Sequence, residues 1–144
     1  MEIQGRLGYM LGTSSKLIKR TMDNFLCKYN ITTSQWAVLK LLDHKTQLKQ
    51  SQIANELLGD KATIGEIILR LHEKKYIEKT LGENDRRAYE IRLTPKAKDA
   101  VKDIELMANE VTEMALKGFA EDDKQILYQY LIKIIENLSK EEIL

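Results

Sequence analysis

The chain has 144 residues with 23 basic and 22 acidic side chains, so its net charge is +1, and 43% of its residues are hydrophobic. This length fits one domain with one core, and the apolar fraction excludes a disordered chain. A single cysteine excludes a disulfide framework and a cysteine-rich metal site within one chain. The first residues show no secretory signal and no stretch is long and apolar enough for a membrane helix, so we expect a cytoplasmic protein.

The charges are unevenly distributed along the chain. Basic side chains are in excess over residues 1–98, whereas residues 99–144 are net acidic. The basic part is suited to a polyanion such as nucleic acid, while the acidic part would serve another role. The alternative is that these charges only cover solvated helix faces.

Two helices are predicted at the start of the chain. Apolar residues recur at helical spacing from Ile3 to Tyr29. This broad stripe either packs against a second subunit or covers the chain's own core. Thr32 and Gln35 then have the spacing of a capping box, which opens a second helix that ends near Asp43.

A helix-turn-helix motif is predicted next. Its first helix is short and amphipathic, and Gly59 stands where a C-terminal glycine cap is expected. Asp60 is a suitable N-cap for a second helix over about residues 61–73. The core face of that helix is formed by Ile64, Ile67, Ile68 and Leu71.

A hairpin follows the motif, because the hydrophobic period changes from 3.6 to 2. Strands are predicted from Tyr76 to Leu81 and from Ala88 to Leu93. The polar, glycine-led loop between them covers residues 82–88 and carries Arg86 and Arg87 at its tip. We interpret this segment as a two-stranded wing.

Two long helices complete the chain. Thr94 is a suitable N-cap with Pro95 at the first helical position, and the apolar stripe continues to about Phe119. The acidic residues 121–123 open the last helix, where they suit the positive end of the helix dipole. The predicted fold class is mainly α with a small two-stranded β-wing: a winged helix-turn-helix DNA-binding core plus a helical region.

Together these segments resemble the MarR family of multiple-antibiotic-resistance regulators. The resemblance covers nearly the whole chain, and the wing motif with the Leu-Thr that follows is its most specific part. The matching segments lie at residues 33–39, 51–57, 60–64, 71–77, 85–88 and 93–97.

The resemblance implies a homodimeric winged helix-turn-helix regulator and not an enzyme. Residues 1–30 and 95–144 would form a helical dimerisation region, and residues 31–94 the winged helix-turn-helix. Such proteins bind pseudo-palindromic double-stranded DNA, often as repressors that a small phenolic or aromatic acid releases. No catalytic residue and no cofactor is expected.

The resemblance also implies how DNA is contacted. The helix over residues 61–73 would lie in the major groove and the wing over residues 82–88 in the minor groove, where Arg87 would insert and Asp85 would orient it. The candidate DNA-binding residues are Ser51, Gln52, Lys61, Ala62, Thr63, Gly65, Glu66, Arg70, Lys74, Asp85, Arg86 and Arg87.

The sequence departs from the family at four of its helical and turn positions. Small hydroxyl residues are usual where Ala62 and Gly65 stand, and a basic or polar residue is usual at Glu66. Glu66 either accepts a hydrogen bond from a cytosine amino group or points away from the DNA. Lys75 stands where a glycine usually follows the helix, which puts the turn geometry in doubt.

Other candidate sites are weaker. The reactive cysteine of hydroperoxide-sensing family members has no counterpart at residues 7–9, and we expect Cys27 to be buried and structural. The two histidines show no metal-ligand spacing, so no metal is expected. Tyr9, Tyr29 and Trp36 could line an effector pocket, although a core position is expected for each. The alternative function is a dimeric ligand-binding or interaction protein that has lost or altered its DNA reading.

Overall fold

The computed structural model describes residues 3–81 and 89–140. The elements are α1 (Ile3–Leu26), a 3₁₀ turn (Cys27–Tyr29), α2 (Thr33–Lys45), β1 (Leu48–Lys49), α3 (Gln50–Glu56), α4 (Lys61–Glu73), β2 (Ile77–Leu81), β3 (Tyr89–Leu93), α5 (Pro95–Ala115) and α6 (Glu121–Lys140). The mainly helical fold class is therefore confirmed.

Local capping signals explain where several helices begin. The Thr32 hydroxyl accepts a hydrogen bond from the Gln35 amide at 3.1 Å, and the Gln35 side chain accepts one from the Thr32 amide at 3.2 Å. At α5 the Thr94 hydroxyl accepts from the Ala97 amide at 3.2 Å, and Pro95 is the first helical residue. These bonds satisfy amides that the first helical turn leaves without partners, as the sequence predicts.

The chain separates into two compact units, residues 1–111 and residues 112–144. The division falls inside α5, whereas the sequence suggests a single core. In the first unit the core is formed by α2, α3, α4, the sheet, the end of α1 and the first part of α5. Its fully buried large side chains are Leu26, Leu39, Leu42, Ile53, Ile68, Leu71, Ile91 and Ile104. The second unit contains the end of α5 and all of α6, and no described residue of α6 is buried.

The sheet has three antiparallel strands rather than the predicted two, in the order β1–β3–β2. Leu48 pairs with Ile91 and Lys49 with Glu90, so β1 adds a short strand to the far side of β3. A two-residue strand has no periodicity that a sequence pattern can show. Its partner lies about forty residues further on, so only the tertiary fold reveals the pairing.

Four other sequence expectations need correction. The helix predicted to reach Tyr29 ends at Leu26, and Cys27 lies exposed in the 3₁₀ turn rather than buried. The fifth helix ends at Ala115 instead of near Phe119, because the chain turns there with Gly118 at φ +87°. After α3 the left-handed residue is Leu58, with φ 53°, and not Gly59.

Candidate nucleic-acid interface

The turn between α3 and α4 sets the spacing of the two helices. The Gly59 amide donates to the Ala54 carbonyl at 3.0 Å and the Leu58 amide to the Asn55 carbonyl at 3.3 Å, which closes α3 with a Schellman motif. A Cβ atom on Gly59 would stand 3.0 Å from the Ile64 side chain. A side chain at position 59 would therefore force Ile64 to shift by a few tenths of an ångström, while the strained left-handed conformation falls on Leu58, which is 88% exposed.

Asp60 starts α4 with two hydrogen bonds. Its carboxylate accepts from the Thr63 amide and from the Thr63 hydroxyl, both at 2.8 Å. The bond from the Thr63 amide is the main reason that the pKa of Asp60 lies below its ordinary value. The predicted N-cap is confirmed, and it fixes the register of the helix whose buried face is Ile64, Ile68 and Leu71.

The opposite face of α4 is open to solvent. A DNA contact must be accessible to solvent in the free protein. The predicted contacts that are exposed on this face are Lys61, Ala62, Thr63, Glu66 and Arg70. Leu69, which helical periodicity also places on this face, is 44% exposed.

Gly65 is half-buried beside α3. A Cβ atom there would stand 3.1 Å from the Gln50 side-chain amide nitrogen. A glycine inside a helix costs about 1 kcal/mol relative to alanine, and a Cβ atom here would require the exposed Gln50 side chain to shift slightly. Gln50 is a contact that the sequence analysis missed, because nothing in the local pattern at the start of α3 indicates which part of α4 it meets.

Arg70 is held by two carboxylates of its own helix. Its Nε lies 3.0 Å from Glu66 Oε1 and its Nη1 lies 3.4 Å from Glu73 Oε2. All three side chains are more than half exposed, so each pair contributes only a few tenths of a kcal/mol. The pairs nevertheless orient both Glu66 and Arg70 on the outer face of α4.

Lys74 has internal partners instead of a free ammonium group. Its Nζ donates to the Asn30 carbonyl and, at 2.9 Å, to Gln35 Oε1. These bonds tie the end of α4 to the start of α2, although the sequence analysis assigned Lys74 to phosphate. Lys75 then adopts the left-handed conformation with φ 64° where the family usually has glycine, and a second Schellman motif closes the helix.

The start of α3 presents the other predicted phosphate contacts. Ser51 and Gln52 are both exposed. Gln52 also accepts a hydrogen bond from the Lys49 amide at 2.8 Å through Oε1, which helps to cap α3. Its side-chain NH₂ group remains available to donate.

The wing has the predicted strand pairing. Ile77 pairs with Leu93 and Leu81 with Tyr89, and Ile91 and Leu93 face the core. Arg92 pairs with Glu78 at 3.2 Å across the two strands. Asp85, Arg86 and Arg87 at the predicted tip lie outside the described residues.

Two clefts lie among the described residues of the first unit. One has a volume of about 420 Å³ between the end of α1 and the start of α2, and Lys19, Cys27 and Ser34 are among its lining residues. The other has a volume of about 310 Å³, with Asp43, Arg92 and Lys98 among its lining residues. Both volumes are within the range of small-molecule sites.

The three aromatic residues considered for an effector pocket differ in burial. Trp36 lies in the core at 5% exposure, as expected, and Tyr29 is half-buried against the core. Tyr9 is 62% exposed, so the core interpretation is wrong for that residue in the single chain.

Within residues 3–81 and 89–140, no group of three or more His, Cys, Asp and Glu side chains could hold a metal ion. None of the helices in the same ranges is long and apolar enough to cross a membrane.

The terminal helices expose large apolar side chains. On α6 the exposed set is Ile126, Tyr128, Tyr130, Ile132, Ile135 and Leu138, and on α1 it is Leu7, Tyr9, Met10, Leu11, Leu17 and Ile18. Apolar faces of this extent on a soluble chain mark interaction surfaces.

Comparison with known proteins agrees with this geometry. Residues 31–89 match the sequence profile of the MarR family. Over 138 residues the chain is 25% identical to the HTH-type transcriptional regulator BilQ of Clostridioides difficile (strain CD3), a match that covers 94% of this chain and 93% of that protein.

Solved structures share the fold. A MarR mutant from E. coli in complex with operator DNA has a TM-score of 0.83 and 20% identity, covering 90% of this chain and 93% of that chain. Bordetella bronchiseptica BpsR, whose DNA binding is regulated by 6-hydroxynicotinic acid, has a TM-score of 0.81 and 20% identity, covering 90% of this chain and 98% of that chain. These proteins are transcriptional regulators and not enzymes.

Proposed function

We propose that the chain is a MarR-family winged helix-turn-helix regulator, and that it acts as a homodimeric, sequence-specific repressor that a small ligand releases from DNA. The match of residues 31–89 to the MarR family and the 25% identity to BilQ support this proposal. The observation that carries the DNA-binding part is the solvent-exposed outer face of α4, set beside the exposed start of α3. A helix presented in this way fits the major groove of B-DNA. The repressor role rests on the family resemblance.

Each protomer would contact one half-site. Residues of α4 would lie in the major groove, and Ser51, Gln52 and Lys61 would bind the phosphate backbone beside it. Wing residues 82–88 would reach the adjacent minor groove, where Arg87 inserts and Asp85 orients it, as the family resemblance implies. Phosphate contacts would supply most of the affinity, so binding should weaken steeply as salt rises.

The exposed apolar faces of α1 and α6 support a homodimer. Tyr130, Ile135 and Leu138 are each at least 60% exposed, which is unfavourable for a monomer in water. A second copy would cover these faces and place the two α4 helices in successive major grooves, so that the operator is an inverted repeat. Residues 1–30 and 95–144 would then be the dimerisation region. As a regulator of transcription, the protein would act in the cytoplasm.

A small aromatic acid is the proposed class of effector. BpsR, which has the same fold, responds to 6-hydroxynicotinic acid, and the two clefts of this chain have room for a single-ring acid. Trp36 is the only tryptophan of the chain and lies in the core of the first unit. Its fluorescence would therefore report on a ligand that displaces α1 or α2.

The test is selection of bound fragments from a random DNA pool, followed by affinity titration at two salt concentrations. An enriched inverted repeat whose affinity falls steeply with salt supports the proposal. Light scattering of the free protein should show about twice the chain mass of 16.7 kDa. A mass near 16.7 kDa would contradict the dimer.

A second candidate function is a dimeric interaction or ligand-binding protein that no longer reads DNA. It is favoured by the carboxylates Glu66 and Glu73, which leave the outer face of α4 less basic than Arg70 alone would make it. Absence of DNA binding at low salt, with the dimer intact, would support this function over the first.

A further inference from the structure

Over residues 61–69, the side of α4 that faces away from the core carries one carboxylate between two apolar side chains. At about 100° per residue, Ala62, Glu66 and Leu69 lie opposite the buried Ile64 and Ile68, and Glu73 follows on the same side as the last residue of the helix. All four are exposed. Ala62, Glu66 and Leu69 form the central line of the N-terminal part of this face, which is the part that would enter the groove, and we call these three residues the reading line.

Two side chains beside the reading line already use donors within α4. The Thr63 hydroxyl donates to Asp60, and Arg70 directs Nε to Glu66 and Nη1 to Glu73. Guanine is read by a free Arg or Lys, and adenine by Asn or Gln. None of these residue types is among the three residues of the reading line, and the structure describes all three.

Glu66 is the polar member of the reading line, and its orientation is restrained. Arg70 Nε holds its Oε1 at 3.0 Å, which leaves Oε2 able to accept another hydrogen bond. The same contact offsets the negative charge that would otherwise be repelled by phosphates. An ionised carboxylate accepts hydrogen bonds and does not donate them, so its partner in the groove must be a donor.

Only two bases offer donors in the major groove, through the amino groups of cytosine N4 and adenine N6. Adenine also places its N7 acceptor beside that amino group, where it would repel a carboxylate. Cytosine has no acceptor next to its amino group on this edge. Ala62 and Leu69, on either side of Glu66, are suited to contact thymine methyl groups.

We propose that α4 reads pyrimidines, with Glu66 accepting a hydrogen bond from the amino group of one cytosine in each half-site and Ala62 and Leu69 contacting thymine methyls beside it. This inference rests on the proposed DNA-binding function and adds a base preference to it. It also assigns Arg70 as a positioning residue that acts through Glu66.

The experiment compares base preferences of three proteins in selections from one random DNA pool: wild type, Glu66→Gln and Glu73→Gln. Both variants remove one negative charge and one partner of Arg70, so both should bind DNA more tightly overall. Wild type and Glu73→Gln should enrich the same cytosine in each half-site. Glu66→Gln should replace it with adenine, because an amide bonds adenine at both N6 and N7.

Titration of a duplex carrying the enriched site measures the size of the effect. Changing the C·G pair to T·A should weaken wild-type binding about tenfold or more and should have a much smaller effect on Glu66→Gln. An enriched inverted repeat whose cytosine preference survives in Glu66→Gln would overturn this inference and leave the proposed function standing. If wild type enriches no inverted repeat, the proposed function fails and the inference fails with it.

Discussion

Replacing Lys74 with methionine should destabilise the fold rather than remove a DNA contact. The Lys74 ammonium donates to Asn30 and Gln35, which lie 44 and 39 residues earlier in the chain. Hydrogen bonds that involve a charged group contribute about 1.5–3 kcal/mol each. Methionine keeps the apolar stem and loses both bonds. One of these bonds is exposed and the other is only partly buried, and Gln35 retains its bond to the Thr32 amide. Water can therefore replace much of what is lost, and we expect a total loss of about 2 kcal/mol, which is less than two buried bonds would give.

Urea unfolding followed by circular dichroism measures this loss. With a denaturant slope of about 2 kcal/mol per molar, the midpoint should fall by about 1 M. Wild type and variant must be compared at one protein concentration, because dimerisation makes the midpoint depend on concentration. DNA affinity of the folded variant, measured against salt, should keep the wild-type slope.

Lys61→Met is the matched control. Lys61 is exposed at the first turn of α4 and would contact phosphate, so its loss should leave the urea midpoint unchanged. The salt slope should fall by about 1 for each lysine removed, hence by about 2 for a dimer. The structural role of Lys74 is refuted if Lys74→Met keeps the wild-type urea midpoint and shows the reduced salt slope instead.

Three further predictions concern single residues. Lys75→Gly should stabilise the protein by about 0.5–1 kcal/mol in urea unfolding. Glycine removes the left-handed strain at φ 64°, and this gain exceeds the cost of a more flexible unfolded chain. A loss of stability would show that the lysine side chain contributes more than the strain costs. Asp60→Ala should lower the free energy of unfolding at neutral pH. Because the pKa of Asp60 is lower in the folded state, the difference in unfolding free energy between wild type and variant should narrow as pH falls below about 3.8 and through the folded-state pKa. A difference that does not depend on pH would contradict this role. Arg87→Ala should weaken operator binding without changing the light-scattering mass of the dimer, and unchanged affinity would argue against wing insertion.

Local signals in the sequence predicted much of the fold. The capping residues Thr32, Asp60 and Thr94 bond amides only three residues away, so their patterns can be recognised in any short segment. The buried face of α4 follows from helical periodicity alone. The exposed face opposite, which holds most of the candidate contacts, follows from the same period.

Other features depended on contacts that span the chain. The sequence placed Lys74 among the phosphate contacts because a lysine at the end of this helix looks free, but its partners lie in another element. Cys27 was expected to be buried because Leu26 precedes it, yet the change to a 3₁₀ turn exposes it. Gly59 resembles a left-handed helix cap, whereas Leu58 adopts that conformation and Gly59 packs closely against Ile64.

The sequence by itself thus determined the order of the helices, their caps and the wing strands. All of these depend on periodicity or on hydrogen bonds between residues three or four apart. Only the tertiary structure decided the third strand, the partners of Lys74 and the juxtaposition of Gln50 with Gly65. Those contacts join residues that are far apart in the chain, and no short-range pattern specifies which distant group will be brought within hydrogen-bonding distance.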